Sequence, residues 1–288
     1  MTELVPGLSA HVVDDVIARA LTEDLGAAGD VTTAATIPMT TLAAADVVPR
    51  SAGVVAGLPV AARVFETVGQ GRLRVELGTG DGSRVVPGEV LATVRGPVRD
   101  ILTAERTALN LLGHLSGVAS LTRRWVDAVE GTGARIRDTR KTLPGLRALE
   151  KYAVRMGGGV NHRMSLSDAV LVKDNHVAAA GGVVRAFELV RAAQPDLVLE
   201  VEVDTLEQAR AVIDAGAQLV LLDNMSPDDM RDVVRYTAGR AELEASGGLT
   251  LDNARAVAEA GVDYLSVGAL THSAPQLDIG LDLQPLTA

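Results

Sequence analysis

From Asp196 onward one unit recurs about every 22 residues, and that repeat restricts the fold of this 288-residue chain more than any other feature. Residues 197–203 (LVLEVEV) read as a strand, with a helix over 205–215 behind it. The strand at 219–223 (LVLLD) precedes a helix over 227–236. The segment 241–245 (AELEA) precedes a helix over 250–260, and 264–267 (YLSV) closes the series. Gly216 and Gly261 stop helices in matching phrases, DAGAQLVLLD and EAGVDYLSVG. Ser226, Pro227, Asp228 and Asp229 place a cap, a first-position proline and first-turn acids in sequence. Strand–helix alternation gives a parallel sheet covered by helices, and near-uniform repeats favour closure into a barrel. The barrel text runs only from 135 to 269, whereas eight units need about 250 residues. An incomplete, six- or seven-stranded parallel β/α barrel is therefore expected.

The preceding text follows a different grammar. Residues 11–25 read as an amphipathic helix, capped by Ser9 and followed by Gly26. Residues 30–38 read as a loop. Between 42 and 98, AAADVV, SAGVVAG, RLRVELG and EVLATVRG look like strands, with PVAARVFETV as a helix. This predicts an N-terminal α+β open sandwich of roughly 70–80 residues. A long helix is expected over 99–130, kinked or split at Gly113 and Gly117. The division places 1–116 in the sandwich domain and 117–270 in the barrel domain, with the tail 271–288 returning to the sandwich. DGSRVVPGEVLATVRGP resembles a lipoyl- or biotinyl-type hairpin, but such modules need a lysine at the tip. No lysine precedes Lys141, so a swinging-arm carrier is excluded.

Composition removes several function classes. The chain has no cysteine, which excludes disulfides, thiol catalysis, zinc–thiolate sites and Fe–S clusters. A net charge of −10 argues against nucleic-acid binding by the general surface. No apolar run of transmembrane length occurs, and 1–15 lacks the basic start of a secretory signal. A cytoplasmic location with no membrane partner is expected. With 1 Trp, 3 Tyr and 2 Phe, the core has to be aliphatic.

The positive charge is concentrated. The window 134–173 carries +6 against −16 for the rest of the chain, and all three lysines lie in it. Glycine-rich turns interrupt the basic residues, which favours an anion site over a plain helix face. In parallel β/α folds ligands gather at the carboxyl ends of strands. The residues there are Arg140, Lys141, Lys173, Glu202, Asp223, Ser246, Gly247, Gly248 and Gly268. Polar groups at corresponding strand ends are costly unless used. SGG before a helix and VGAL after the last strand expose backbone N–H groups, and the last two βα loops of such barrels often hold phosphate. Carboxylates beside a phosphate site suit ribose hydroxyls or Mg²⁺ carrying pyrophosphate. The excess cations suit a second, carboxylate-bearing substrate.

Several stretches carry a family resemblance: DTRKTLPGLRALEKYAVRMGGGVNHRMSLSDAVLVKDNH, LEVEVD, LLDNM, EASGGLTLDN, SVGALTHSAP, EDLGAAGDVTT and AERTALNLLGHLSG. Together they resemble quinolinate phosphoribosyltransferase over nearly the whole chain. The resemblance implies a sandwich joined to an incomplete six-stranded barrel, at least a homodimer, and Mg²⁺. The implied reaction converts quinolinate and phosphoribosyl pyrophosphate to nicotinate mononucleotide, pyrophosphate and CO₂, in de novo NAD biosynthesis. It further implies that Thr139, Arg140, His162, Arg163 and Lys173 hold quinolinate, with Arg106 arriving from the neighbouring subunit. Lys141 would stabilise the leaving group. Glu202 and Asp223 would serve ribose hydroxyls and the metal, although Glu200 lies on the same strand face. Ser246, Gly247, Gly248, Val267, Gly268 and Ala269 would hold the 5′-phosphate, with His272 nearby.

Two rival readings remain at this level. Lys173 at a strand end suits a Schiff-base aldolase. A phosphate-ligand binding barrel, including the molybdenum-transport-associated relatives of the family, would need ligand contacts without both Glu202 and Asp223.

Overall fold

The computed structural model describes residues 2–285. The strands β1 (Glu3–Val5) and β2 (Leu8–Ser9) precede α1 (Ala10–Leu25) and α2 (Val31–Thr36). Then come β3 (Leu42–Pro49), β4 (Gly53–Val54), α3 (Leu58–Gly69), β5 (Arg74–Leu77), β6 (Arg84–Val85), β7 (Ala92–Pro97) and α4 (Val98–Ala128). The second half begins with β8 (Arg135–Arg137), α5 (Arg147–Met156), β9 (Val170–Val172), α6 (Asp174–Ala180), α7 (Val183–Ala193), β10 (Leu199–Val203) and α8 (Leu206–Asp214). It ends with β11 (Leu219–Asp223), α9 (Pro227–Thr237), β12 (Glu242–Ser246), α10 (Leu251–Ala258), β13 (Tyr264–Ser266), α11 (Ala269–His272) and β14 (Ile279–Pro285). No helix of the described residues is long and apolar enough to cross a membrane.

The chain divides into two units. One contains the chain up to Arg123, the segment Thr142–Gly158 and the chain from Thr271 on. The other contains Arg124–Lys141 and Gly159–Leu270. The sequence division at 116/117 falls inside α4, and 142–158 clusters with the N-terminal segments rather than with the barrel to which that division assigned it. The reason is burial: Leu149, Ala153 and Val154 of α5 are enclosed, and the Tyr152 hydroxyl donates to Asp81 at 2.6 Å.

The first unit is built on an antiparallel sheet in the order β14-β3-β7-β5. Within the tail, β14 pairs with β3 from Ile279↔Pro49 to Pro285↔Ala43, and 286–288 lie outside the described residues. The core is aliphatic apart from Phe65 and Tyr152, with Val47, Val64, Val94, Ile101 and Leu115 essentially enclosed. Two local readings are corrected here. Residues 31–36 are helical rather than loop, because Asp30 accepts the Thr33 N–H at 2.9 Å and caps a turn of helix. α4 is continuous rather than split at its glycines. A Cβ on Gly117 would stand 2.1 Å from the Pro275 carbonyl oxygen, so this glycine admits a neighbouring backbone.

The second unit is a single parallel sheet of six strands, in the order β8-β13-β12-β11-β10-β9. Among the described residues no pairing joins β8 to β9, so the barrel stays open and the count is six. Register aligns Ser266 with Arg137, Asp223 with Ser246, and Glu202 with Leu221. Paired residues of parallel strands share a face, and alternation puts Glu200, Glu244 and Tyr264 on that face as well. Full burial of Val201, Val220, Ala245 and Leu265 shows the opposite face packed with apolar side chains. The inward face therefore carries the charge.

Candidate active site

The strand ends open onto a cavity of about 410 Å³. Thr139, Arg140 and Lys141 reach it from the loop after β8, and His162 and Arg163 from the segment before β9. Lys173 follows β9, Glu202 lies on β10, Asp223 ends β11 and Ser246 ends β12. Leu171, Leu221, Glu244 and Ser266 complete the lining. Most of the expected quinolinate set is thus gathered in one place, beside both expected carboxylates.

The remaining expected residues are placed differently. Gly247 and Gly248 continue from Ser246 with φ of +83° and +60°, a turn that leads to Thr250, the cap of α10. Val267 is buried at the end of β13, where its N–H donates to the Arg137 carbonyl at 2.9 Å, and Gly268 and Ala269 lead into α11. These residues do not line the cavity. Arg106 and His272 belong to the other unit. Arg106 projects from α4 with its side chain 63% exposed, 4.0 Å from Glu105, and His272 meets the Ser273 hydroxyl at 2.6 Å.

Asp138, fully buried, ties two cation-bearing segments together. One carboxylate oxygen accepts the His162 N–H at 2.8 Å and the other accepts Asn161 Nδ2 at 2.6 Å. The strand that leads to Arg140 and Lys141 is thereby fastened to the segment carrying His162 and Arg163. The His162 ring accepts the Arg163 N–H on Nδ1 at 2.7 Å, which leaves Nε2 as the protonated nitrogen. Nε2 lies 2.9 Å from Glu200 and 3.7 Å from Glu244. Arg163 donates to the Ala169 carbonyl, and burial followed by the nearby Arg140 lowers its pKa.

At the rim, Lys173 Nζ pairs with Glu202 at 2.6 Å. Burial and then the neighbouring Glu202 push the Asp223 carboxyl up. Two carboxylates lining one cavity, Glu202 and Asp223, make a donor set for a hard divalent cation.

Beneath the rim lies a charged layer of which the sequence shows only Glu200. Glu244 is fully buried, pairs with Arg137 at 2.5 Å and accepts the Ser266 hydroxyl. Burial lifts Glu244, and the adjacent Glu200 adds to the effect. Glu200 itself is pushed up to about 7, chiefly by burial. Arg135 and Arg137 flank the Tyr264 ring, each 4.7 Å from its centre. The available signal was period two: in 242–246, Glu242, Glu244 and Ser246 share one face, and that face is the inward one.

An open parallel β/α barrel with cations, carboxylates and glycine turns at its strand ends defines a class: a barrel enzyme acting on polyanionic small molecules. Comparison with known proteins narrows the class. The family model for the quinolinate phosphoribosyl transferase C-terminal domain matches residues 118–282, and that for the N-terminal domain matches residues 30–116. The chain belongs to the quinolinate phosphoribosyltransferase family. It is 55% identical over 273 residues to the nicotinate-nucleotide pyrophosphorylase [carboxylating] of Mycobacterium leprae, covering 93% of this chain and 96% of that one. It is 43% identical over 240 residues to a probable enzyme of the same name from Bacillus subtilis, covering 83% of each chain. NadC from Streptococcus pyogenes superposes with a TM-score of 0.93 at 40% identity, over the full length of both chains.

Proposed function

We infer that the chain transfers the phosphoribosyl group of phosphoribosyl pyrophosphate to the ring nitrogen of quinolinate, with loss of one carboxylate as CO₂. The products are nicotinate mononucleotide and pyrophosphate, in NAD biosynthesis. The observation that carries this reading is the joint placement of Arg140, Lys141, Arg163 and Lys173 with Glu202 and Asp223 around one cavity. A dicarboxylate acceptor needs the cations, and a phosphoribosyl donor needs the carboxylates for its hydroxyls.

In this reading Thr139, Arg140, His162, Arg163 and Lys173 hold quinolinate, Arg by paired hydrogen bonds. Lys141 faces the pyrophosphate and stabilises the charge that grows as the C1–oxygen bond breaks. Glu202 and Asp223 hold the ribose hydroxyls and oppose the cation developing at C1. The turn Ser246–Gly248, with Val267, Gly268 and Ala269, holds the 5′-phosphate, and His272 stands by. The ring nitrogen becomes quaternary once C1 is attached. Only then can the adjacent carboxylate leave as CO₂, because the cationic ring holds the electron pair left behind until that carbon takes up a proton from water. Phosphoribosyl transfer therefore precedes decarboxylation, and no protein nucleophile takes part.

Glu202 and Asp223 would hold Mg²⁺, together with the substrate's own oxygens. When bound, the ion neutralises charge on the departing pyrophosphate. The active assembly is a homodimer or higher oligomer in which the partner's Arg106 completes the quinolinate site. The location is cytoplasmic.

The test is to incubate the protein with quinolinate, phosphoribosyl pyrophosphate and Mg²⁺, and to quantify nicotinate mononucleotide and CO₂. Equal amounts of both products, dependent on each substrate, support the reading. Binding of both substrates without turnover would instead support the phosphate-binding barrel.

A further inference from the structure

The turn after β11 has a feature that the catalytic reading does not use. Asn224 adopts φ of +54°, in the left-handed region. The other described non-glycine residues with positive φ, Gln70 and Ala238, are helix C-caps, where that conformation is ordinary. Asn224 ends no helix. It stands between Asp223, the last residue of β11, and Ser226, the cap of α9. Asparagine tolerates this backbone better than most side chains.

Three contacts explain the conformation. The Asn224 N–H donates to the Ser246 carbonyl at 2.8 Å, which continues the Asp223↔Ser246 register one step beyond the sheet. The side-chain Nδ2 donates to Asp223 Oδ2 at 2.7 Å. On its other side the amide lies against Gly247, where an added Cβ would stand 2.2 Å from Asn224 Oδ1 and 3.0 Å from its backbone nitrogen. Gly247 is thus glycine for two reasons, its φ of +83° and the space that Asn224 fills. One residue grips the Asp223 carboxylate, the end of β12 and the turn that follows it.

We propose that Asn224 is a positioning residue that fixes the Asp223 carboxylate relative to the Ser246–Gly248 turn, so that one phosphoribosyl pyrophosphate meets both in place. The proposal rests on the reading above, in which Asp223 takes the ribose and the turn takes the 5′-phosphate. Two ends of one ligand are gripped by two loops. Holding those loops at a set separation removes ordering that binding would otherwise have to supply. The quinolinate cations sit on other segments, so the effect falls on one substrate only.

Two variants test this. Asn224→Gly keeps the backbone conformation and deletes the amide. Asn224→Asp keeps the shape and the tolerance of positive φ but sets a carboxylate against Asp223. The measurement is calorimetric binding of phosphoribosyl pyrophosphate with Mg²⁺, and separately of quinolinate, with thermal unfolding recorded alongside. Asn224→Gly should weaken phosphoribosyl pyrophosphate about tenfold, the scale of one lost hydrogen bond to a charged group. Asn224→Asp should weaken it more. Quinolinate binding should stay within about twofold in both, and KM for phosphoribosyl pyrophosphate should rise ahead of any change in KM for quinolinate. If Asn224→Gly unfolds, Asn224→Asp carries the same comparison. Unchanged phosphoribosyl pyrophosphate binding, or equal losses for both substrates, overturns the positioning role. A parent protein that binds no phosphoribosyl pyrophosphate overturns the functional reading as well.

Discussion

The rim and the interior of the barrel are both charged, yet they solve different problems. In the interior, Glu244 and Glu200 are buried: Arg137 and Ser266 are built onto Glu244, while the Glu200 oxygens lie near His162 Nε2 without a hydrogen-bond partner among the described residues. At the rim, Lys141, Lys173 and Asn224 are exposed, and Asp223 and Ser246 are half-buried. Interior charge is buried, so removing one member leaves another in a low-dielectric site without its partner. Rim charge is wet, so removing it leaves little behind for the fold to support. The same residue types are therefore enclosed by the fold at one depth and open to a ligand at another.

The largest expected effect breaks the interior. Glu244→Ala removes a fully buried carboxylate and leaves the half-buried Arg137 without its partner, and denaturant unfolding should register a loss of about 3 kcal/mol. A loss below about 1 kcal/mol would erase the contrast. Lys141→Ala does the reverse. It should lower kcat on the order of 10²–10³-fold, as expected for a lost charge stabiliser. Its unfolding free energy should change by no more than about 0.5 kcal/mol, and quinolinate affinity should be largely kept. Collapse of quinolinate affinity with kcat intact would put Lys141 in the wrong role.

Glu200 gives a pH-dependent version of the contrast. Its folded-state pKa of about 7 lies above the ordinary 4.5. The folded protein therefore holds this proton more tightly than the unfolded chain, and stability falls as pH rises from about 4.5 to about 7. Glu200→Gln removes that dependence. Measured against the parent, the variant should gain relative stability across this window, by at most ~3 kcal/mol. A difference that stays flat with pH would mean that Glu200 is not buried as a charge.

The smallest effect tests whether the rim is completed by a second subunit. Arg106→Ala and Lys141→Ala homodimers should each be nearly inactive. After subunit exchange, mixed dimers keep one intact site, and activity should recover to about one quarter of the parent's in closed two-fold dimers. No recovery, with exchange verified, would put Arg106 outside the partner's site.

The contrast also explains what could be read from the sequence. The strand ends were legible because Lys173, Glu202 and Asp223 each close or follow an apolar run, where a polar residue stands out. The strand–helix repeat was legible because Gly216 and Gly261 punctuate it identically. Glu244 and Arg137 were not, since AELEA and ARIRD carry too little apolar text to show which face turns inward. Only the pairing with β11 and β13 supplies that. The continuity of α4 was hidden for a similar reason: Gly117 answers to Pro275, 158 positions away, and not to its own helix. Asn224 was hidden because its partner Gly247 comes from another turn of the repeat.

The central claim is that the crowd of cations at the rim exists for a second carboxylate, and substrate discrimination tests it most directly. The measurement is kcat/KM for quinolinate against nicotinate, with phosphoribosyl pyrophosphate and Mg²⁺ saturating. A site built to pair two carboxylates leaves cations unmatched when one is missing, so quinolinate should be favoured on the order of 10⁴-fold. Comparable turnover of the two acids would contradict the account and would mean that the rim charge serves the phosphates alone.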